Sequence, residues 1–116
     1  MRALIESRYG QFLNDLETLV NTDSGSGNAF GLTAVADFLR KRFERLGWPT
    51  RLMQFDGGSV PCIETVNRKL SGEKALFDFL LLGHMDTVFP KGTAARRPFF
   101  IRDGRAYGPG VCDMKA

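Results

Sequence analysis

Apolar positions in the first half of the chain recur every three or four residues, and in the second half that period gives way to alternating or continuous runs. Leu4, Ile5, Phe12, Leu13, Leu16, Leu19 and Val20 form one stripe, with Glu6, Arg8, Asn14, Asp15 and Glu17 mostly between them. That spacing predicts an amphipathic helix over residues 3–20. The turn-rich segment Asn21-Thr22-Asp23-Ser24-Gly25-Ser26-Gly27-Asn28 ends it. Leu32, Val35, Ala36, Leu39, Phe43 and Leu46 predict a second helix over about 29–46. Gly47 stands where a left-handed cap is expected, and Pro49 bars continuation.

After Pro49 the pattern is that of strands. Thr50 to Phe55 alternates loosely and is closed by Gly57-Gly58. Cys62 to Lys69 predicts a second strand, at a sheet edge because so many of its residues are polar. A turn at Ser71-Gly72-Glu73 leads into Ala75 to Leu82, interrupted only by Asp78. This run is too continuous for a half-exposed strand and predicts one covered by helices on both faces. Two helices followed by such strands indicate an α/β layer domain. Residues 87–104 read as one long loop punctuated by Pro and Gly, the kind that often carries function.

Composition narrows the class without naming it. The 116 residues make one small domain or part of a larger one. The 43% hydrophobic and 25% charged fractions are those of a soluble globular chain. No apolar run approaches the ~20 residues that cross a bilayer, and Met1-Arg2-Ala3-Leu4-Ile5-Glu6 lacks the apolar core of a signal peptide. The expectation is a cytoplasmic protein with no membrane partner. The net charge of +3 is not gathered on one face. Arg40-Lys41-Arg42 and Arg45 share a helix with Asp37 and Glu44, and Arg96-Arg97 stands alone, so no nucleic-acid partner is expected. Cys62 and Cys112 match no zinc-ribbon spacing and are expected to be reduced and partly buried.

Candidate chemistry gathers at the end of the apolar run. Gly83-His84-Met85-Asp86-Thr87-Val88 carries the one histidine of the chain. The end of a buried strand is where open α/β sheets hold their active sites. In extended backbone His84 and Asp86 project to the same side. Asp86 has two available jobs: to bind a metal directly, or to accept the second ring N–H of His84 and fix its tautomer. Spacing favours the second. Asp113 is reached through Gly108-Pro109-Gly110, whose small residues permit a tight approach. A carboxylate there can bridge two divalent cations. The plainer alternatives are a turn aspartate at Asp113 and a satisfied core histidine at His84, because His-x-Asp by itself is a weak pattern. No serine lies in a G-x-S-x-G elbow. Ser24-Gly25-Ser26-Gly27 follows a helix and lacks the Gly-Lys-Ser/Thr ending of a phosphate loop.

Two longer stretches are more specific. Leu81-Leu82-Gly83-His84-Met85-Asp86-Thr87-Val88-Phe89-Pro90-Lys91-Gly92 and Tyr107-Gly108-Pro109-Gly110-Val111-Cys112-Asp113-Met114-Lys115-Ala116 closely resemble two signature blocks of the M20 metallopeptidases. The Phe89-Pro90-Lys91-Gly92 extension and the Pro98-Phe99 pair look most like the glutamate carboxypeptidase branch. The Ser24-Gly25-Ser26 loop also sits where those enzymes have a similar turn. The resemblance implies a three-layer sandwich with a mixed, largely parallel sheet between helices, as in zinc-dependent exopeptidases. It implies that His84 ligates one zinc, that Asp113 bridges two zincs, and that Asp86 orients His84 and assists catalysis. The implied reaction is hydrolysis of an amide bond next to a C-terminal residue, often glutamate, by metal-activated water.

The departures from the family pattern bound the expectation. The general-base glutamate, its neighbouring ligand glutamate, a further acidic ligand and a second histidine come later in the family's sequences and are not among these residues. The inserted dimerisation domain is also missing. Glu64 and Glu73 are the only glutamates of the second half, and neither lies in a matching motif. The expectation is therefore that residues 1–116 are the N-terminal part of a catalytic domain. The full-length parent would be a homodimeric enzyme acting on a small peptide or N-acyl amino acid. The chain alone would not turn over and would self-associate through residues 76–82. The alternatives are a deacylase of acetylornithine or succinyl-diaminopimelate type, and a non-catalytic binding module that retains this half.

Overall fold

Helix α1 (Arg2–Val20) and helix α2 (Ala29–Arg45) form where the apolar spacing predicts them. The computed structural model describes residues 2–55, 57, 60–67 and 77–116. Only the last turns of α1 are covered: Leu16, Leu19 and Val20 are buried, whereas Leu4, Ile5 and Phe12 of the same stripe are exposed. Helix α2 begins at Asn28, whose side-chain Oδ1 accepts from the Gly31 amide at 3.2 Å, the usual work of an Asn cap. Its other end stops as expected. Gly47 turns left-handed at φ +74° and donates its amide to Glu44 O at 2.9 Å.

Strands β1 (Thr50–Phe55) and β2 (Val60–Thr65) pair antiparallel, from Thr50 opposite Thr65 to Phe55 opposite Val60. The hairpin packs against α2, and Phe43 and Trp48 stack at 5.7 Å to fasten the helix end to it. Strand β2 starts two residues before the predicted Cys62 and includes Pro61, which an edge position tolerates. It stops at Thr65; the predicted continuation through Arg68 and Lys69 lies outside the described residues.

The largest correction concerns the apolar run. Residues 75 and 76 lie outside the described residues, and 77–82 form no strand. Phe79, Leu80, Leu81 and Leu82 are between 81% and 91% exposed. The expectation of a strand covered on both faces fails here because an extended segment is stable only with a lateral partner. No strand among the described residues lies beside Phe79–Leu82.

Residues 87–104 are more ordered than a loop. They contain helix α3 (Thr93–Arg96) and strand β3 (Phe100–Arg102), which pairs antiparallel with β4 (Arg105–Tyr107). Asp103 and Gly104, at φ 51° and 71°, make the turn. Asp-Gly is the residue pair that a two-residue hairpin favours, a signal that the long-loop reading passes over. Phe100 and Tyr107 stack across the pair at 4.8 Å.

The chain is thus mixed α/β, but both sheets are two-stranded and antiparallel. The three-layer arrangement around a largely parallel sheet is not formed by the described residues. The one parallel element among them is an isolated bridge between Gly25 and Thr87. Arg42 of α2 pairs with Asp15 of α1. A terminal turn (Val111–Lys115) packs against α1. Cys62 and Cys112 are free, the first half-buried as expected and the second exposed. Among the described residues no helix is long and apolar enough to cross a membrane.

Candidate metal centre

The residues that place the site are mostly backbone-anchored polar side chains. The loop between α1 and α2 runs beside the segment that follows His84. Thr87 donates its amide to Ser24 O at 2.9 Å, and Ser26 donates its amide to Thr87 O at 2.9 Å. Gly25, between the two serines, permits this approach, because a Cβ there would run into the carbonyl oxygen of Phe89. Asp23 extends the seam. Its two carboxylate oxygens accept from the amides of Gly92 at 2.6 Å and Ala94 at 2.9 Å. The Ala94 and then the Gly92 hydrogen bond hold the Asp23 carboxyl below its ordinary pKa.

Asp113 arrives from the other direction. Gly108 and Gly110 adopt φ 150° and 75°, and side chains there would strike Val20 and Thr87. The Asp113–Met114 peptide is cis. Lys115 then ties the turn down: its Nζ donates to Leu19 O at 2.7 Å and Thr22 O at 2.8 Å, at the end of α1. Orphan carbonyls at a helix C-terminus favour a cation. Burial pushes the Lys115 ammonium down in pKa.

His84, Asp86 and Asp113, picked out by sequence, come together. His84 Nε2 lies 3.1 Å from Asp113 Oδ1. On the other side of the ring, Nδ1 lies 3.0 Å from Asp86 O and 3.2 Å from Asp86 Oδ1. The His84 amide donates to Met114 Sδ at 3.3 Å, a second tie between the two segments. The site is open: the side chains of His84, Asp86 and Asp113 are 46%, 44% and 85% exposed. The hydrogen bond to the Asp86 carbonyl, and after it that to the Asp113 carboxylate, raise the His84 pKa. The Ser26 hydroxyl lowers that of Asp86.

The donor set suits zinc, which takes imidazole nitrogen and carboxylate oxygen. Two such donors on one tetrahedral ion, with legs of about 2.1 Å, stand roughly 3.4 Å apart. The 3.1 Å between His84 Nε2 and Asp113 Oδ1 is close to that edge. Among the described residues no group of three or more His, Cys, Asp or Glu side chains is placed to hold a metal. The two donors fit such an ion and would supply half of a tetrahedral set.

Sequence reasoning overlooks Ser26, Asp23 and Lys115 as parts of this site. Ser26 donates its hydroxyl to Asp86 Oδ2 at 2.6 Å across sixty residues of chain. Nothing in the Ser-Gly-Ser spacing signals a partner that far away. The Lys115 bonds to helix-end carbonyls have no sequence signature either, since any lysine can make them.

A sequence profile of peptidase family M20/M25/M40 matches residues 80–116, the span that holds all three site residues. The chain is also 36% identical over 103 residues to carboxypeptidase G2 of Pseudomonas sp. (strain RS-16). That alignment covers 89% of this chain and 24% of the relative, so the chain spans about a quarter of the length of the curated protein it matches.

Proposed function

The chain belongs to peptidase family M20/M25/M40, and on that premise we propose that it is the N-terminal part of the catalytic domain of a zinc-dependent carboxypeptidase. The observation that carries the reading is the 3.1 Å meeting of His84 Nε2 with Asp113 Oδ1, with Asp86 on the opposite ring nitrogen. In this reading His84 and Asp113 would hold zinc, and Asp113 would be the carboxylate that two ions share. Asp86 keeps the proton of His84 on Nδ1, which leaves the Nε2 lone pair directed at the metal side. Zinc, when bound, supplies a Lewis acid that polarises the scissile carbonyl and lowers the pKa of water. The substrate is a small peptide or N-acyl amino acid cut at the amide next to a C-terminal residue, glutamate above all. The intact enzyme is proposed to be a cytoplasmic homodimer.

That no third His, Cys, Asp or Glu joins the two donors among the described residues supports the further reading that the 116 residues alone do not turn over. The bare run Phe79–Leu82 supports self-association of the isolated chain.

The deciding assay uses the intact protein that contains these residues. It is expected to release C-terminal glutamate from a model peptide faster than it removes acetyl from N-acetylornithine. A zinc chelator should abolish the release, and His84→Ala and Asp113→Ala should each lower it at least about 100-fold. Peptidase activity that survives both substitutions and the chelator sinks the metal reading. A preference for the N-acetylated substrate moves the assignment to a deacylase. Tight zinc binding with turnover by residues 1–116 alone overturns the half-site reading.

A further inference from the structure

The contact between Ser26 and Asp86 gives the α1–α2 loop a part in the site. An aspartate side chain turns about two soft bonds, and Asp86 is half-exposed, so packing does not choose its orientation. Hydrogen bonds choose it instead. Oδ2 accepts from Ser26 Oγ at 2.6 Å, while Oδ1 faces His84 Nδ1 at 3.2 Å. The nearer acceptor at Nδ1 is the Asp86 backbone carbonyl at 3.0 Å, and Oδ1 stands beside it, so the Ser26 bond on Oδ2 turns the carboxylate's other oxygen to the ring.

Ser26 itself is held by backbone. The paired bonds Ser26 N to Thr87 O and Thr87 N to Ser24 O register the hydroxyl against the residue next to Asp86 in the chain. The missing Cβ of Gly25 lets that registration close. A bond to a half-exposed carboxylate adds little to fold stability, whereas its directional effect on Asp86 is large. A neutral hydroxyl is also well suited here, because it donates without bringing a second positive charge beside His84.

We propose that Ser26 is a positioning residue that turns the Asp86 carboxylate toward Nδ1 of His84 and so helps to hold the proton on that ring nitrogen. The proposal rests on the reading of Asp86 as the partner that orients His84. Ser26 touches neither substrate nor metal in it and acts only through Asp86.

His84 is the single histidine of the 116 residues, so selective 15N-histidine labelling of the chain gives one imidazole to observe. At mildly acidic pH both ring nitrogens carry protons and report separately, Nδ1–H on the Asp86 arm and Nε2–H on the Asp113 arm. In Ser26→Ala, Nδ1–H is expected to exchange with water about fivefold faster, the worth of one neutral hydrogen bond. Nε2–H exchange should not change, and the melting temperature should hold within about 2 °C. Ser26→Thr keeps the hydroxyl and should restore the slow exchange. Asp86→Asn separates the role of Asp86 from that of Ser26, because it too should speed Nδ1–H exchange. If Asp86→Asn does so and Ser26→Ala does not, the role given to Ser26 is overturned. If both ring protons of Ser26→Ala speed up equally, the loop merely supports the fold and the proposal also falls. If Asp86→Asn leaves Nδ1–H unchanged, the reading of Asp86 beneath it fails.

Discussion

Within fifteen residues, from Phe79 to Thr93, the usual relation between polarity and burial reverses. Phe79 to Leu82 are large, apolar and almost fully exposed, while Thr87 and Thr93 are small, polar and 7% and 4% exposed. Ser24, across the seam from Thr87, is 1% exposed. The difference follows from where each stretch finds its partners. The backbone groups of the polar seam and the side chains of Asn21, Asp23, Thr87 and Thr93 find hydrogen-bond partners nearby, so most of its burial costs little. The buried Ser24 hydroxyl, by contrast, finds none among the described residues. The apolar run needs a strand beside it and a face above it, and none of the described residues provides either. Burial here tracks the availability of partners, and apolar character alone does not secure it.

Substitutions of equal size should therefore cost very different amounts in the two regions. The largest effect is expected from Gly25→Ala, which drives a methyl group into the Phe89 carbonyl and pries the α1–α2 loop from Thr87. A loss of about 2–3 kcal/mol in urea denaturation is expected. A loss below half a kilocalorie would show that the seam yields easily and would dissolve the contrast.

Asp23→Ala comes next, at about 1–2 kcal/mol, because the amides of Gly92 and Ala94 lose their acceptor. Its pH dependence has a definite sign. The folded-state pKa of Asp23 lies below 3.8, so the stabilisation is whole above that value and drains away as pH falls through the lower folded one. The stability difference between wild type and Asp23→Ala should shrink accordingly in acid. Parallel acid-unfolding curves would remove Asp23 from the seam.

The smallest effect on stability belongs to the bare run. The double change Leu80→Ser and Leu82→Ser should alter unfolding free energy by less than about 0.5 kcal/mol, while light scattering shows the self-association of the isolated chain reduced. A loss of several kilocalories would mean that the run is covered after all.

The elements that sequence located well are those whose signal is local. The two helices, the Gly47 stop and the β1 strand depend on neighbours within a few positions, so their spacing, caps and turn residues were readable directly. The run 75–82 was legible as a strand-like pattern, yet its covering was not, because a strand's stability lies in another segment. The hairpin over Phe100–Tyr107 had a local signal, Asp103-Gly104, in a stretch dominated by Pro and Gly. At the site, the identities of His84, Asp86 and Asp113 were readable from their motifs, whereas Ser26 and Lys115 were not. Their contacts span 60 and 96 residues, and a hydroxyl or an ammonium advertises no distant partner.

Sequence by itself determined the helices, the family membership and the three side chains that carry the candidate chemistry, since each is written in short runs of adjacent residues. Only the tertiary structure decided which of their atoms meet. It set His84 Nε2 against Asp113 and Nδ1 against Asp86, and it brought Ser26 to the far oxygen of Asp86. The physical reason is that hydrogen-bond direction depends on atoms placed within tenths of an ångström. That placement is fixed by a closely approaching glycine loop about sixty residues from Asp86, and by a lysine beside Asp113 that reaches back to the distant end of α1.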